Sequence, residues 1–331
     1  MLDWQDDLKL AESDLYLDSR QSRAHCFVSH AHTDHLGPHL HAICTPATAR
    51  LAERRQEIQR LTLLDYSAPH DLDGETRLTL LPAGHILGSS MLHVERRGQT
   101  FLYTGDFKLR SCATVRCAEV RPADVLVMES TYGLPFFRFP SRDLVVAQLV
   151  EIVERALREG RQPIVMGYSL GKSQEIVRIL TDAGQTVTVH GAVWHNNQLY
   201  EEMGVPLGRY RKYDPTDFHG PAALDLRERG VLVAPPQVAR SAFVTRFDKP
   251  VRVMMSGWGL LKNAIYRYGV DHALPLSDHA DFDELLELIE RVGPKKIYTH
   301  HGYREFAETL RGKGLDATCA KPDAQLTLFG E

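Results

Sequence analysis

A short stretch near the start of the chain concentrates side chains that bind metal ions. Residues 29–35 read Ser-His-Ala-His-Thr-Asp-His and follow an apolar run at 24–28 that has the composition of a buried strand. His30 and His32 are two residues apart, so in an extended chain they point the same way and can share one ion. Asp34 and His35 follow the turn and suit a second ion. A polar loop that happens to contain histidines is the alternative, but the density of ligands favours a site for two divalent metal ions.

Further ligand types recur where later strands are predicted to end. His85, Asp106 and Glu129 come at or just after the ends of three successive predicted strands. Any one of them could stand there by chance, since acidic residues are common at strand ends. The recurrence favours ligands that gather at one edge of a β-sandwich.

Asp18 ends another predicted strand, shortly before the histidine stretch. A carboxylate in this place can orient a ligand histidine from outside the metal's own ligand set, as metal sites usually require. The alternative is a solvated turn residue, because Asp is frequent in turns.

The texture of the chain changes after Gly133. Strands and amphipathic helices then alternate, which is typical of a parallel sheet, and we predict an inserted α/β domain over 139–275. The flanking segments 1–138 and 276–331 are predicted to form one domain together. Within the first of them, residues 48–61 are expected to be a helix, because Leu51, Ile58 and Leu61 share one side.

Residues 209–213 of the inserted domain read Arg-Tyr-Arg-Lys-Tyr. Basic residues interleaved with aromatic ones are typical of grooves that bind single-stranded nucleic acid. A solvated surface loop explains the same pattern.

Composition places the chain among ordinary globular proteins. It has 331 residues, a net charge of -4 and five cysteines without a Cys-x-x-Cys pair, so we expect a reduced, cytoplasmic protein. The N-terminus is acidic where a signal peptide would be basic, and no apolar run reaches membrane-spanning length. The net charge argues weakly against a polyanionic partner, but two bound dications would make the site locally positive.

The motifs together carry a family resemblance that spans nearly the whole chain. His30-x-His32-x-Asp34-His35, then His85, Asp106 and a late His-Gly resemble the metallo-β-lactamase superfamily. Three further motifs resemble its β-CASP nucleic-acid-processing branch, most closely the bacterial ligase-associated DNA exonucleases: Glu129 in Glu-Ser-Thr-Tyr-Gly, His279 in Ser-Asp-His-Ala and His301 in His-His-Gly-Tyr.

This resemblance implies an αβ/βα sandwich with an inserted β-CASP α/β domain. It also implies a set of metal ligands: His30, His32 and His85 for the first ion, Asp34, His35 and His301 for the second, and Asp106 between them. His300 competes with His301 for the last place, and the glycine that follows His301 favours His301. Zinc suits the histidines, while manganese is allowed by the carboxylates.

The function implied is a DNA exonuclease that acts on single strands from 5′ to 3′ in repair or end processing. Two metal ions would supply a hydroxide for attack on phosphorus. His279 lies outside the expected ligand set and is predicted to protonate the leaving 3′ oxygen, with Glu129 accepting its other ring N–H and Asp34 acting through the metal. Ser256, Gly257 and Ser277 are candidates for binding a 5′ phosphate.

Three rival functions stay open at this stage. An RNA exonuclease or endonuclease of the same branch has the same motifs. A small-molecule hydrolase such as a lactonase needs neither the insertion nor the Glu129 and His279 pair, and a metal-free scaffold would have lost ligands that are present here. The resemblance also suggests functional association with a DNA ligase and a helicase, and no membrane partner is expected.

Overall fold

Two β-sheets face each other in the part of the chain that contains the histidine-rich stretch. The computed structural model describes residues 2–3, 7–110, 112–219, 223–247 and 249–320. The first sheet contains six strands in chain order: β1 (Leu2–Asp3), β2 (Lys9–Leu10), β3 (Leu15–Leu17), β4 (His25–Phe27), β5 (His41–Cys44) and β6 (Arg60–Leu63). β2 runs antiparallel to both β1 and β3, whereas β3, β4, β5 and β6 run parallel to one another, and helix α1 (Pro46–Ala52) connects β5 to β6.

The prediction of one helix over 48–61 is wrong. Helix α1 ends at Ala52, and Arg60–Leu63 forms the edge strand β6, which pairs in parallel with β5 so that His41 lies opposite Arg60. Leu61 and Leu63 are exposed at this edge, so the apolar spacing that favoured a helix does not mark a buried helix face. The ladder of hydrogen bonds to β5 outweighs local helix propensity here.

The second sheet begins with an antiparallel series that turns parallel. Its first strands are β7 (Pro69–Asp71), β8 (Thr76–Pro82), β9 (Ser90–Arg96), β10 (Gln99–Tyr103) and β11 (Val125–Glu129). β9 runs antiparallel to both β8 and β10, so the three strands that lead to His85, Asp106 and Glu129 are not successive as predicted. Strands β8, β10 and β11 nevertheless run in the same direction. β9 is antiparallel to both β8 and β10, which makes those two parallel, and β11 is parallel to β10.

Residues 139–278 form a second compact unit around a six-stranded parallel sheet. Its strands lie in the order β14 (Tyr210–Lys212), β13 (Val187–Val189), β15 (Val231–Ala234), β12 (Pro163–Met166), β16 (Val251–Met255) and β17 (His272–Leu274). Its helices are α2 (Arg142–Arg158), α3 (Lys172–Asp182), α4 (Gly191–Glu202), α5 (Pro215–Phe218), α6 (Leu226–Arg229) and α7 (Ala264–Tyr268), with 3-10 turns at Pro236–Arg240, Val244–Arg246 and Gly257–Leu260.

The end of the chain returns to the first unit, which comprises the described residues of 1–138 and 279–331. The predicted joins lie after 138 and 275, and the structure divides the chain after 138 and 278. Helix α8 (Phe282–Val292), strand β18 (Lys296–His300), helix α9 (Arg304–Gly312) and strand β19 (Ala317–Cys319) follow. β18 pairs in parallel with β11 and β19 with β18, so the second sheet has the order β19-β18-β11-β10-β9-β8-β7.

Alternating side chains of the second sheet enter two different cores. Leu80, Phe101 and Val127 pack with Leu17 and Phe27 of the first sheet. The residues that follow them in sequence point to the opposite face, as the strand period of two requires, and pack with helices α8 and α9: Leu81, Leu102 and Met128. Each fully buried large apolar side chain stabilises the fold by about 1.5–3 kcal/mol relative to an exposed one. The two cores, one between the sheets and one beneath the helices, make this unit an αβ/βα sandwich.

Within the described ranges, no helix is both long enough and apolar enough to cross a lipid bilayer.

Gly302 is required by a close approach of two loops at the ends of β11 and β18. Ser130 donates its backbone N–H to the carbonyl of His300 at 2.9 Å, which draws the two chains together. A Cβ at position 302 would overlap the carbonyl group of Ser130. Only glycine therefore fits between His301 and the loop that follows Glu129.

We expect Gly302→Ala to lower the free energy of unfolding by about 1–3 kcal/mol, because the added methyl group must displace backbone atoms. Chemical denaturation with a metal chelator present measures this without a contribution from metal binding. Gly312→Ala is the matched control: nothing lies within 4 Å of a Cβ there, and alanine should be neutral or slightly stabilising. Equal effects of the two substitutions would contradict the steric argument.

Candidate metal centre and proton donor

The histidine-rich stretch begins two residues after β4 ends and lies at the carboxyl ends of the strands. His30 and His35 are fully buried, His32 is half-buried and Asp34 is exposed. His85 follows β8 and Asp106 follows β10, so residues from both sheets meet at this edge. Ligands of parallel strands gather at such an edge because the strands deliver their C-terminal loops to one place.

Three histidine nitrogens converge in the first group. His32 Nδ1 lies 3.1 Å from His30 Nε2 and 3.1 Å from His85 Nε2. Nitrogens bound to one tetrahedral zinc at 2.0–2.1 Å stand roughly 3.3 Å apart, so the spacing suits a shared ion. With Asp106, these residues form a group whose ligand atoms all lie within 4.8 Å of one another.

The second group contains Asp34, His35 and His301, again with ligand atoms within 4.8 Å. His35 Nε2 lies 3.7 Å from Asp34 Oδ2, and the rings of His35 and His301 are 5.0 Å apart. His300 is placed differently: its ring stacks on Tyr103 at 5.5 Å. The left-handed backbone of His301, with φ of 50°, accompanies this change of direction between two adjacent histidines.

One oxygen of Asp106 touches both groups. Its Oδ2 lies 3.5 Å from His30 Nε2 and 3.8 Å from His85 Nε2 in the first group, and 3.3 Å from His35 Nε2 in the second. Asp106 is 4% exposed, so solvent screens these contacts little. A carboxylate in this position can serve two cations at once.

Asp18 orients histidines of both groups from behind. Its Oδ2 accepts the hydroxyl of Ser29 at 2.5 Å and faces His35 Nδ1 at 2.9 Å, and Ser29 Oγ in turn lies 2.9 Å from His30 Nδ1. An ionised carboxylate only accepts, so the hydrogens reside on Ser29 Oγ and on His35 Nδ1, and Ser29 Oγ can accept one from His30 Nδ1. The two Nε2 atoms are then left with lone pairs, the form that binds a metal ion.

The donor set fits divalent metal ions. His35 Nε2 is buried and, within the described part of the chain, has no hydrogen-bond partner of suitable geometry. A buried polar nitrogen without a partner is unfavourable unless another group, such as a cation, satisfies it. Histidines with carboxylates are also the ligand types that zinc and manganese accept.

Electrostatics agree with this interpretation. Burial lowers the pKa of His30 well below its usual range, and His35 and His85 act in the same direction. Burial opposes protonation of His35, but Asp106 and Asp34 outweigh it and raise the pKa of His35 well above the usual value. Burial also opposes ionisation of Asp106, yet the charges of His35 and His279 hold its pKa well below its usual range. The field of the carboxylates therefore favours positive charge at the centre.

His279 and Glu129 form a pair beside the two groups. His279 Nδ1 lies 3.0 Å from both oxygens of Glu129 and 3.9 Å from Asp106 Oδ2, and its ring is 4.5 Å from that of His85. Glu129 is fully buried and also accepts the N–H of Phe107 at 2.8 Å and the hydroxyl of Thr131 at 2.5 Å. A carboxylate oxygen accepts hydrogen bonds, so the hydrogen of the contact with Glu129 lies on His279 Nδ1.

The three phosphate-binding candidates belong to the second unit. Ser256 and Gly257 follow β16, and Ser277 follows β17. Ser256 Oγ accepts the N–H of Trp258 at 3.4 Å and lies 3.3 Å from the hydroxyl of Tyr268. Ser256, Gly257 and Ser277 are all buried.

Sequence reasoning missed several positioning residues of this site. Tyr103 donates its hydroxyl to Asp18 at 2.8 Å, Ser29 links Asp18 to His30, and Thr131 supports Glu129. Each stands within three residues of a strand end that the sequence does mark. Their ordinary residue types carry no signal of a hydrogen bond to a partner as distant as 85 positions away.

This chain is similar to a metallo-hydrolase family and to several named proteins. Residues 267–318 match the family described as the Zn-dependent metallo-hydrolase RNA specificity domain. A probable DNA ligase of Opitutus terrae is 36% identical over 97% of this chain, but the chain spans only 31% of that protein. An RNase J-like protein of Methanocaldococcus jannaschii is 25% identical over 86% of this chain and 83% of its own length.

A vertebrate protein and one solved structure extend these likenesses. The 5′ exonuclease Apollo of Gallus gallus is 27% identical over 82% of this chain and 57% of its own length. A protein of unknown function from Enterococcus faecalis V583 has a crystal structure with a TM-score of 0.61 at 16% identity, covering 90% of this chain and 79% of its own. At this level of identity the structural likeness concerns the fold alone.

We predict that Asp18→Asn lowers metal affinity about 10–100-fold, because the side chain that orients the ligand histidines would lose an acceptor. One Asp18 oxygen accepts from the Ser29 hydroxyl and His35 while the other accepts the Ser29 backbone N–H at 2.7 Å, and an amide would set an NH2 donor against one of these donors. Asparagine tolerates the left-handed backbone at this position, where φ is 47°, so the substitution tests the carboxylate rather than the turn. Competition with a chromophoric chelator measures the affinity. Asp14→Asn, at a nearby exposed carboxylate, is the control and should leave the affinity unchanged. Unaltered affinity in Asp18→Asn would remove the role assigned to this residue.

Proposed function

We propose that this chain, which belongs to the β-CASP nuclease branch of the metallo-β-lactamase superfamily, is a metal-dependent phosphodiesterase that degrades single-stranded DNA from its 5′ end. The observation that carries the proposal is the pair of His279 and Glu129 beside two groups of metal-binding side chains. A thioesterase expels a thiolate, which leaves without a proton, whereas hydrolysis of a phosphodiester must protonate a sugar 3′ oxygen. The pair therefore favours phosphodiester hydrolysis over a thioesterase.

Two divalent cations would be held by seven side chains, with Asp106 shared. The first group is His30, His32 and His85, and the second is Asp34, His35 and His301. When bound, such ions activate water for attack and neutralise the charge of a phosphodiester. The family matched by 267–318 is zinc-dependent, and we propose zinc as the native metal, with manganese as the alternative.

His279 is proposed as the general acid. Glu129 holds the hydrogen on Nδ1 and stabilises the positively charged ring, so the proton on Nε2 can pass to the departing 3′ oxygen. Its side chain is 21% exposed, which allows exchange of that proton with solvent after each turnover. A histidine that bound a metal through its ring nitrogen could not take this part.

Ser256, Gly257 and Ser277 are proposed to bind the 5′ phosphate of the substrate. They follow neighbouring strands of the parallel sheet at its C-terminal edge, which is where such sheets place ligands. Hydroxyl and backbone N–H donors at this edge suit an anion.

We propose DNA as the substrate because a relative that matches nearly the whole of this chain is named a probable DNA ligase. The ligase-named relative contains a match to 97% of the chain, and another relative is named a 5′ exonuclease. RNA is the second candidate, because residues 267–318 match a domain described by RNA specificity and one relative is named RNase J-like. A scaffold without metal is disfavoured, since every expected ligand is present. Association with a DNA ligase and a helicase, and a cytoplasmic location, complete the proposal.

We expect His279→Ala to retain metal yet lose turnover by roughly 10²–10⁴-fold, the usual contribution of a general acid. Metal content by elemental analysis and hydrolysis of a labelled oligonucleotide are measured on the same sample. His300→Ala, which removes a buried histidine outside both metal groups, controls for the loss of an imidazole near the centre. Depletion of metal in His279→Ala would make it a ligand and remove the proposed role.

The substrate is tested with strands of one sequence as single-stranded DNA, duplex DNA and single-stranded RNA, labelled at either end. We expect single-stranded DNA to be shortened from the 5′ end, faster when that end carries a phosphate. Faster hydrolysis of RNA would shift the assignment to the RNA branch, and no hydrolysis of any strand with zinc or manganese would overturn the proposed function.

The double variant Ser256→Ala/Ser277→Ala should abolish the preference for a 5′ phosphate while hydrolysis of 5′-hydroxyl ends continues. A preference equal to that of the unmodified protein would show that the phosphate binds elsewhere.

A further inference from the structure

The second unit presents one aromatic ring almost entirely to solvent. Tyr266 is 85% exposed, compared with 67% for Leu144 and 55% for Phe136, and no other large apolar side chain of the described residues is as exposed. Its neighbour Ile265 is 49% exposed. The exposed apolar surface of this helix is small because these two side chains make it up. We propose that Tyr266 is a stacking platform for a base of single-stranded DNA. This proposal rests on the proposed function and states how the protein holds its substrate.

The backbone beneath this ring is fixed although the ring itself is not covered. Tyr266 lies on the short helix α7, whose carboxyl end is held by Arg240: its Nη2 donates to the carbonyls of Tyr266 and Arg267, both at 2.8 Å. Gly269 ends the helix in the left-handed conformation. A ring on a fixed backbone loses little conformational freedom when a base stacks on it, which favours binding.

The segment of chain that contains this helix has an excess of basic residues, although the whole chain is negatively charged. Residues 231–270 contain six basic residues and one acidic residue, a net charge of +5, in a chain of net charge -4: Arg240, Arg246, Lys249, Arg252, Lys262, Arg267 and Asp248. Arg252 is paired with Asp271 at 3.1 Å, which leaves the excess positive. An excess of positive charge attracts a polyanion such as the phosphate backbone of a nucleic acid.

Tyr266 shares its helix with a tyrosine that contacts one of the proposed phosphate-binding residues. Helix α7 follows β16 and the Ser256 and Gly257 turn, and the hydroxyl of Tyr268 lies 3.3 Å from Ser256 Oγ. Tyr266 and Tyr268 are two residues apart on one element, with Tyr268 turned toward Ser256 and Tyr266 toward solvent. The contact of Tyr268 with Ser256 ties the helix that carries Tyr266 to the proposed phosphate-binding turn.

The other aromatic and basic segment of this unit is occupied by the protein itself. Tyr210 donates its hydroxyl to Glu201 at 2.7 Å and its ring packs against Trp194 at 5.5 Å. The ring of Tyr213 packs against Phe218 and Phe243. The segment 209–213, which the sequence suggested as a groove, thus uses its aromatic rings for packing, whereas the ring of Tyr266 is 85% exposed.

A single strand is the occupant that these features suit. Only unpaired bases expose a face on which a tyrosine ring can stack, and stacking tolerates any sequence, as a degradative exonuclease requires. A protein partner would need a larger apolar patch than Ile265 and Tyr266 provide.

The test measures binding rather than hydrolysis. Fluorescence anisotropy follows a 5′-phosphorylated, 12-nucleotide single-stranded DNA with phosphorothioate linkages, which resist hydrolysis, on the full chain. We expect Tyr266→Leu to weaken binding roughly 5- to 100-fold, because it keeps an apolar side chain but removes the ring face. Tyr266→Trp should bind at least as well as the unmodified protein, and Leu144→Ala, at a distant exposed apolar position, should bind equally.

The dependence of binding on salt separates stacking from charge. Tyr266→Leu should leave the slope of log affinity against log salt unchanged, whereas Lys262→Ala should reduce its magnitude if that exposed lysine meets a phosphate. Tight binding of single-stranded DNA by the unmodified protein together with equal binding by Tyr266→Leu would overturn the platform and leave the proposed function standing. Equal weakening for duplex and single strand would also overturn it. Absence of binding and hydrolysis in the unmodified protein would overturn both.

Discussion

A single carboxylate behind the metal-binding groups governs their geometry. Asp18 accepts from Ser29 and His35, and Ser29 in turn can accept from His30, so one residue sets the ring orientation in both groups. Tyr103 adds a third side-chain donor to Asp18 at 2.8 Å and ties this carboxylate to the second sheet, while Asp18 itself follows a strand of the first. Hydrogen bonds to a buried carboxylate are strong and directional, so the two sheets and the two groups are held in one arrangement.

The alternation of side chains along the strands determines which residues are buried in each of the two cores. Because successive side chains alternate, β8, β10 and β11 bury one set of residues between the sheets and the other beneath helices α8 and α9. Both faces of the sheet are thus committed to packing, and chemistry is left to the strand ends. The parallel register of β11 with β18 sets Glu129 opposite His300, which brings the loop after Glu129 to His301 and demands glycine at 302.

Charge is distributed unevenly between the parts of this protein. The two candidate metal-binding groups contain Asp34 and Asp106, whose charges favour cations, and the segment 231–270 of the second unit carries an excess of basic residues. Under the proposed function, the first part would hold the cations of the reaction. The basic segment of the second part would attract the phosphate backbone of the substrate. The net charge of the whole chain conceals both features.

Local patterns in the sequence determined much of this. The spacing of His30, His32, Asp34 and His35 indicates candidate ligands because all four lie within one loop. His85, Asp106 and Glu129 are indicated by their positions at predicted strand ends, which are also local features of the sequence. Periodicity failed at 48–61, where pairing of β6 with β5 outweighs helix propensity, and the segment 209–213 suggested a groove although its rings are packed. Only the tertiary structure decided which oxygen of Asp106 contacts both groups, that Asp18 orients His30 and His35 together, and that Tyr266 is the ring left in solvent. These depend on hydrogen bonds and burial between residues far apart in the chain, and no local pattern of residue types encodes them.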